Sequence, residues 1–187
     1  MLRAAGLAPE VVVSGVGEDG IEGLAPDKAV EVLAVRKAGA VADRLGTHVG
    51  DGPDGAGGGA LVVGCDTMLA IAGELRGTPR SADEARAWWR GQRGCPGTLV
   101  TGHAVVDTAS GRQASATATT VVHFGTPTDA EVDAYVASGE PLVVAGAFTI
   151  DGRSAPFVER IDGDHGNVLG LSMPLLRVLV AELGVSI

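Results

Sequence analysis

With 187 residues and 45% hydrophobic content, the chain can bury the core of one domain and is short for two, so a single domain over residues 1–187 is expected. Aromatics are only 3% beside abundant Ala, Val, Leu and Gly, which points to a core of small and branched aliphatics in a sheet covered by helices, an α/β fold. A formal net charge of −9 without a basic stripe argues against nucleic acid or an anionic membrane surface as partner. Two cysteines make no disulfide framework, and neither a secretory signal nor an apolar run of about 20 residues is apparent, so the expected setting is cytoplasmic.

Val11-Val12-Val13-Ser14 reads as a short strand, and Asp27 is the expected N-cap of a helix from about Lys28 to Leu45 with Val30, Leu33, Val41 and Leu45 inward. Gly50 to Gly59, GDGPDGAGGG, has too little side chain to offset its ordering entropy and is expected to be a mobile surface loop. No Gly-Lys-Ser/Thr ends it, so it is no phosphate cradle. Leu61 to Cys65 reads as a central strand covered on both faces, and Met68 to Ile71 as a further extended piece. Ser81 and Glu84 have capping-box spacing for a helix that starts at Ala82 and carries Trp88 and Trp89, and Thr128 and Glu131 repeat the device. Between those helices, Thr98 to Val106 and Ala114 to Phe124 flank Ala109-Ser110-Gly111 as a long antiparallel hairpin. A last strand, Phe157 to Ile161, precedes a helix from about Met173 to Leu183.

Among residues that could carry chemistry, Asp66 follows a buried apolar strand, and the carboxyl end of such a strand is where open α/β sheets place ligands. Burial would raise its pKa and a metal would lower it, which suits a proton acceptor. An Asp bracing its own turn is the competing description. Lys37 lies four residues after Leu33 and four before Val41, on the inward stripe, where it either meets an anion or covers apolar surface with its stem. Facing one crevice, Lys37 and Asp66 would suit phosphoanhydride hydrolysis. Glu140, in Ser138-Gly139-Glu140-Pro141, reads on its own as a helix terminus, and Asp162-Gly163-Asp164-His165 as a turn rather than a metal loop. The four histidines lack ligand spacing, and Ser14, Ser172 and the cysteines lack an activating neighbour.

Taken in order, these segments resemble the Maf family over nearly the whole chain. The resemblance rests on Ser14-Gly15-Val16-Gly17-Glu18, Ala34-Val35-Arg36-Lys37-Ala38, Gly64-Cys65-Asp66-Thr67-Met68, Gly73-Glu74-Leu75, Gly77-Thr78-Pro79, Thr101-Gly102, Tyr135 with Gly139-Glu140-Pro141, Ala145-Gly146-Ala147-Phe148, and Ile161-Asp162-Gly163-Asp164 with Val168-Leu169-Gly170-Leu171. It implies a mixed, twisted, elongated sheet flanked by helices with a cleft between two lobes, of the Maf/ITPase-like kind, and in many members a homodimer. It implies hydrolysis of a nucleoside triphosphate between the α and β phosphates with Mg²⁺ or Mn²⁺, housecleaning of nucleotide pools, and a link to arrest of cell division. Carried over by position, Asp66 is the proton acceptor, Lys37 a phosphate contact, Glu18 an acid that helps Asp66 hold metal, and Thr67 and Glu140 substrate neighbours.

The chain also departs from the family pattern. Met1 to Gly6 resembles the end of the helix after the family's opening loop, so the apolar strand and the Ser-x-Ser-Pro-x-Arg loop are expected to be lacking. Thr78 and Val144 stand where lysines are usual, and Asp151 stands where the pyrimidine-triphosphate subgroup has glutamine. These losses make a nucleotide-binding regulator without turnover the rival expectation, and a poorly folding chain the third.

Overall fold

The computed structural model describes residues 1–46 and 59–187. All of the expected Gly50 to Gly59 loop except its last residue lies outside them. Helix α1 spans Pro26–Leu45. Proline in the first helical turn needs no hydrogen-bond acceptor and brings its φ already set. Asp27 is therefore not the N-cap but a first-turn residue beside the helix's positive end, and Ala25 precedes the helix. Val30, Leu33 and Val41 are buried as expected, whereas Leu45 at the frayed end is exposed.

Strand β1 runs unbroken over Leu61–Ile71, so the expected division after Cys65 does not occur. Its residues alternate between buried and half-buried rather than being covered equally on both faces. A two-residue turn, Ala72-Gly73, leads to β2, Glu74–Arg76, with Ile71 opposite Glu74. Both turn residues have positive φ, 51° and 79°, as a primed hairpin turn requires. Helix α2, Ala82–Gln92, is capped by the Ser81 hydroxyl, which accepts from the Glu84 amide. The reciprocal half of that box is absent, because the Glu84 carboxylate accepts from the Arg80 amide and side chain. Strands β3, Pro96–Asp107, and β4, Gln113–Phe124, form the expected hairpin, closed by Asp107 N–H to Arg112 O at 2.9 Å.

Helix α3, Asp129–Ala137, has the complete Thr128–Glu131 box. Strand β5 is Val158–Gly163, later than expected, since Phe157 ends a short 3-10 turn that delivers the chain to the sheet. The expected turn at Asp162 to His165 is instead the end of β5 and the start of the short helix α4, His165–Val168, with Asp164 as cap. Helix α5, Met173–Glu182, follows Ser172 as its cap. Val11 to Ser14 forms no strand: Val11 and Val13 are 86% and 81% exposed, and high β-propensity without a ladder partner does not make a strand. No described helix is long and apolar enough to cross a membrane.

The result is a mixed α/β fold with a five-stranded antiparallel sheet, order β2-β1-β3-β4-β5, flanked by helices. Contacts divide the chain into two units, Met1–Asp66 with Gly102–Ala118 and Leu171–Ile187, and Thr67–Thr101 with Thr119–Gly170. In the first unit, Ala34, Ala38 and Val41 of α1 pack on Val62 and Ala104, while Leu176, Leu179, Val180 and Leu183 pack with Val105 and Ala114. Because successive strand residues face opposite ways, α1 and α5 cover opposite faces of the sheet there.

The second unit is built differently, around the fully buried Trp89. Its ring meets Phe124, Tyr135 and Phe157 edge to face at 5.4–5.9 Å, and its indole N–H donates to Ala147 O at 2.9 Å. The aliphatic core expected from composition thus holds only for the first unit, since every aromatic side chain falls in the second. Ala72 pays a left-handed backbone cost that glycine would not, so Ala72→Gly should raise unfolding free energy by about 0.5–1 kcal/mol in urea titrations; a destabilised variant would contradict the turn assignment.

Candidate active site

Asp66 sits in the middle of β1, not at the strand's carboxyl end, because the residues after it continue the same ladder. Its place on the sheet follows from alternation. Val62, Gly64 and Asp66 share the face on which α1 lies, and Thr67 turns to the other. The helix comes unusually close at this point. A Cβ on Gly64 would stand 2.6 Å from Ala34 O and 2.7 Å from Ala38 N, and one on Gly102 in β3 only 2.1 Å from Val30 O. Glycine at both positions lets the helix backbone rest directly on the strands.

That approach brings Lys37 over Asp66. The Lys37 ammonium donates to Asp66 Oδ1, with the lysine side chain 26% exposed and the aspartate 6%. The other carboxylate oxygen, Oδ2, is buried with no partner among the described residues. Burial pushes the Asp66 carboxyl above its ordinary pKa, the Lys37 hydrogen bond and charge pull it back, and the negative charge of Glu18 pushes it up again. Glu18 itself is an exposed residue of the segment before α1. Neighbouring Cys65 is no nucleophile, since burial and then the Asp66 charge raise its thiol to about 12, only partly offset by Lys37.

The structure therefore brings Lys37 and Asp66 together in the first unit, with Glu18 acting on Asp66 only through its charge. Thr67 and Glu140 belong to the second unit. The Thr67 hydroxyl lies 3.1 Å from that of Thr101, which donates to Asn167 O. Glu140 Oε1 accepts from the Arg153 amide at 2.8 Å, so this carboxylate braces the 149–153 turn, and Gly152 leaves it room. His103 accepts the Ser172 amide inside the first unit, and His123 meets Asp162 on the surface; His48 lies outside the described residues.

Two features of this neighbourhood escaped the sequence patterns. Gly64 was a legible signal, because an isolated glycine in an apolar strand marks close backbone approach. Arg36 and Arg44 on α1 donate to carbonyls of Asp19, Val13 and Ser14, and nothing in their spacing separates them from ordinary surface arginines.

A family model described as Maf-like protein matches residues 1–183. A nucleoside triphosphate pyrophosphatase of Streptomyces coelicolor is 58% identical over 187 residues, covering 100% of this chain and 86% of that protein. The protein of the same name from Streptomyces avermitilis is 56% identical with the same coverage, and that from Salinispora tropica 48% identical, with 79% of its length covered.

Two measurements probe the geometry. Gly64→Ala forces its Cβ into helix backbone and should cost about 1–3 kcal/mol of stability, read as a lower urea midpoint at unchanged m. In the metal-free protein, carboxyl NMR should place the Asp66 midpoint above the ordinary carboxylate value of about 3.9, with Lys37→Met raising it further and Glu18→Gln lowering it. The folded state then holds this proton more tightly than the unfolded one, so Asp66's contribution to stability falls as pH rises from the ordinary value through the raised one. A midpoint below the ordinary value would contradict the balance of burial over ion pairing.

Proposed function

Because the chain belongs to the Maf family, we propose that it is a nucleoside triphosphate pyrophosphatase, a hydrolase that cuts between the α and β phosphates to leave a nucleoside monophosphate and pyrophosphate. The observation that carries this reading is the Lys37–Asp66 pair, an ammonium and a carboxylate meeting where β1 runs under α1. In this reaction Asp66 accepts the proton of the attacking water through Oδ1, the oxygen that Lys37 releases as it turns to the substrate. Lys37 turns its ammonium toward phosphate oxygens and offsets the charge that grows on them. Thr67 and Glu140 enter as substrate neighbours on the family pattern alone. The proposed setting is the cytoplasm, the role is clearance of nucleotides from the pool with a link to arrest of division, and the assembly is a homodimer.

A divalent cation, Mg²⁺ or Mn²⁺, fits these residues. Asp66 Oδ2 is a buried acceptor without a partner, and the like charge of Glu18 opposes ionisation of Asp66, a repulsion that a cation held by both would reverse. Among the described residues no cluster of three or more His, Cys, Asp or Glu could hold a metal, but Mg²⁺ ordinarily takes one or two carboxylates, water and substrate phosphates. When bound, such an ion would neutralise phosphate charge and polarise the anhydride.

The test is pyrophosphate release from a nucleotide panel with Mg²⁺ or Mn²⁺. Asp66→Asn should lower kcat by about 10²–10⁴-fold, the usual contribution of a general base. Turnover equal to wild type would remove Asp66 from this role, and tight nucleotide binding without turnover in the wild type would favour a regulator.

A further inference from the structure

Glu18 can act on Asp66 only if its segment stays in place, and that segment has no helix or strand between Leu7 and Ala25 to keep it there. Apart from Arg3, which donates to Pro9 O, its attachments among the described residues are side chains of α1. Arg36 donates from Nη1 to Asp19 O at 2.6 Å, gripping the residue next to Glu18. Arg44 donates from Nη2 to Val13 O at 2.6 Å and Ser14 O at 3.2 Å, while its Nε bonds Ala40 O at 3.1 Å and so fixes the plane of the guanidinium. Arg36 also directly precedes Lys37, the residue that donates to Asp66. One stretch of helix thus grips the acidic segment on one side and the strand carboxylate on the other.

We propose that Arg36 and Arg44 are positioning residues, which fasten the Glu18 segment to α1 and thereby set the two carboxylates against a common cation. Charge alone gives no reason for the arginines to be here, because two guanidinium groups weaken a cation site electrostatically. Their placement is explained by geometry: exposed carbonyls of an irregular segment need donors, and the fork of an arginine reaches two at once. The assignment rests on the shared-cation reading of Glu18 and Asp66 given above.

Binding of Mn²⁺ alone to the full chain, followed by the paramagnetic signal of the free ion, tests it without turnover. Glu18→Gln should weaken Mn²⁺ binding about tenfold, and the double variant Arg36→Ala, Arg44→Ala should weaken it by about the same factor, the range typical for residues that orient metal ligands. Adding Glu18→Gln to the double variant should cause no further loss, because both changes remove one ligand. Arg36→Lys, which can still make the single bond to Asp19 O, should retain binding. The sign is decisive, since removal of two positive charges without any loss of position would tighten the site. Unchanged or tighter Mn²⁺ binding in the double variant overturns the positioning role and leaves the cation reading standing. A wild-type chain that retains no Mn²⁺ overturns the cation reading and this assignment with it.

Discussion

A carboxylate inside a sheet is costly, and the first unit is arranged around making that cost tolerable at Asp66. Taking an ionised group out of water costs several kcal/mol unless a partner meets it, and the partner here is the Lys37 ammonium. The meeting has a steric condition. An ammonium on α1 reaches a carboxylate on β1 only if the helix backbone lies almost on the strand, and Gly64 and Gly102 have no Cβ to hold it off. Strand alternation then does the rest, putting Asp66 on the helix side and the neighbouring Thr67 on the opposite face.

The pair is incomplete in a way that suits chemistry. Lys37 engages one oxygen of Asp66 and leaves the second buried without a partner, while Glu18 adds a charge of the wrong sign. A purely structural ion pair would be expected to satisfy both oxygens and to keep other anions away. Buried acceptors left open, with competing charges around them, are typical of sites that wait for a ligand. This imbalance gives the family relationship a physical counterpart in this chain's own residues.

The second unit solves a different problem, holding an irregular segment in a fixed shape. Ala147 takes a left-handed conformation with φ 58° although fully buried, and Gly146 before it has φ 65°. The strain is contained by bonds from Trp89 to Ala147 O and from the Gly146 amide to Gly77 O. Beyond it, Ser154 ties both the amide and the carbonyl of Thr149, and Glu140 receives Arg153. Strain of this kind persists only where the surroundings over-determine it, as the interlocked aromatic rings around Trp89 do.

Local rules were enough for much of this molecule. The helices α1, α2, α3 and α5, the β3–β4 hairpin and the caps at Ser81 and Thr128 were legible because periodicity and capping act within a few residues. Lys37 and Asp66 could be singled out for the same reason, one as a charge on an apolar stripe and the other as a charge directly after an apolar run, although the strand continues through it. Other features depended on distant partners. Val11 to Ser14 has the composition of a strand but no ladder partner among the described residues, and the uniform scarcity of aromatics hid their concentration in one unit. Glu84 completes no box because Arg80 competes for its carboxylate. Above all, the sequence determined that a lysine of the right chemistry exists on an inward helix face and an aspartate directly after a buried apolar run. Only the tertiary structure decided that they touch and that one oxygen stays open, because both facts depend on how closely a helix backbone may approach a sheet.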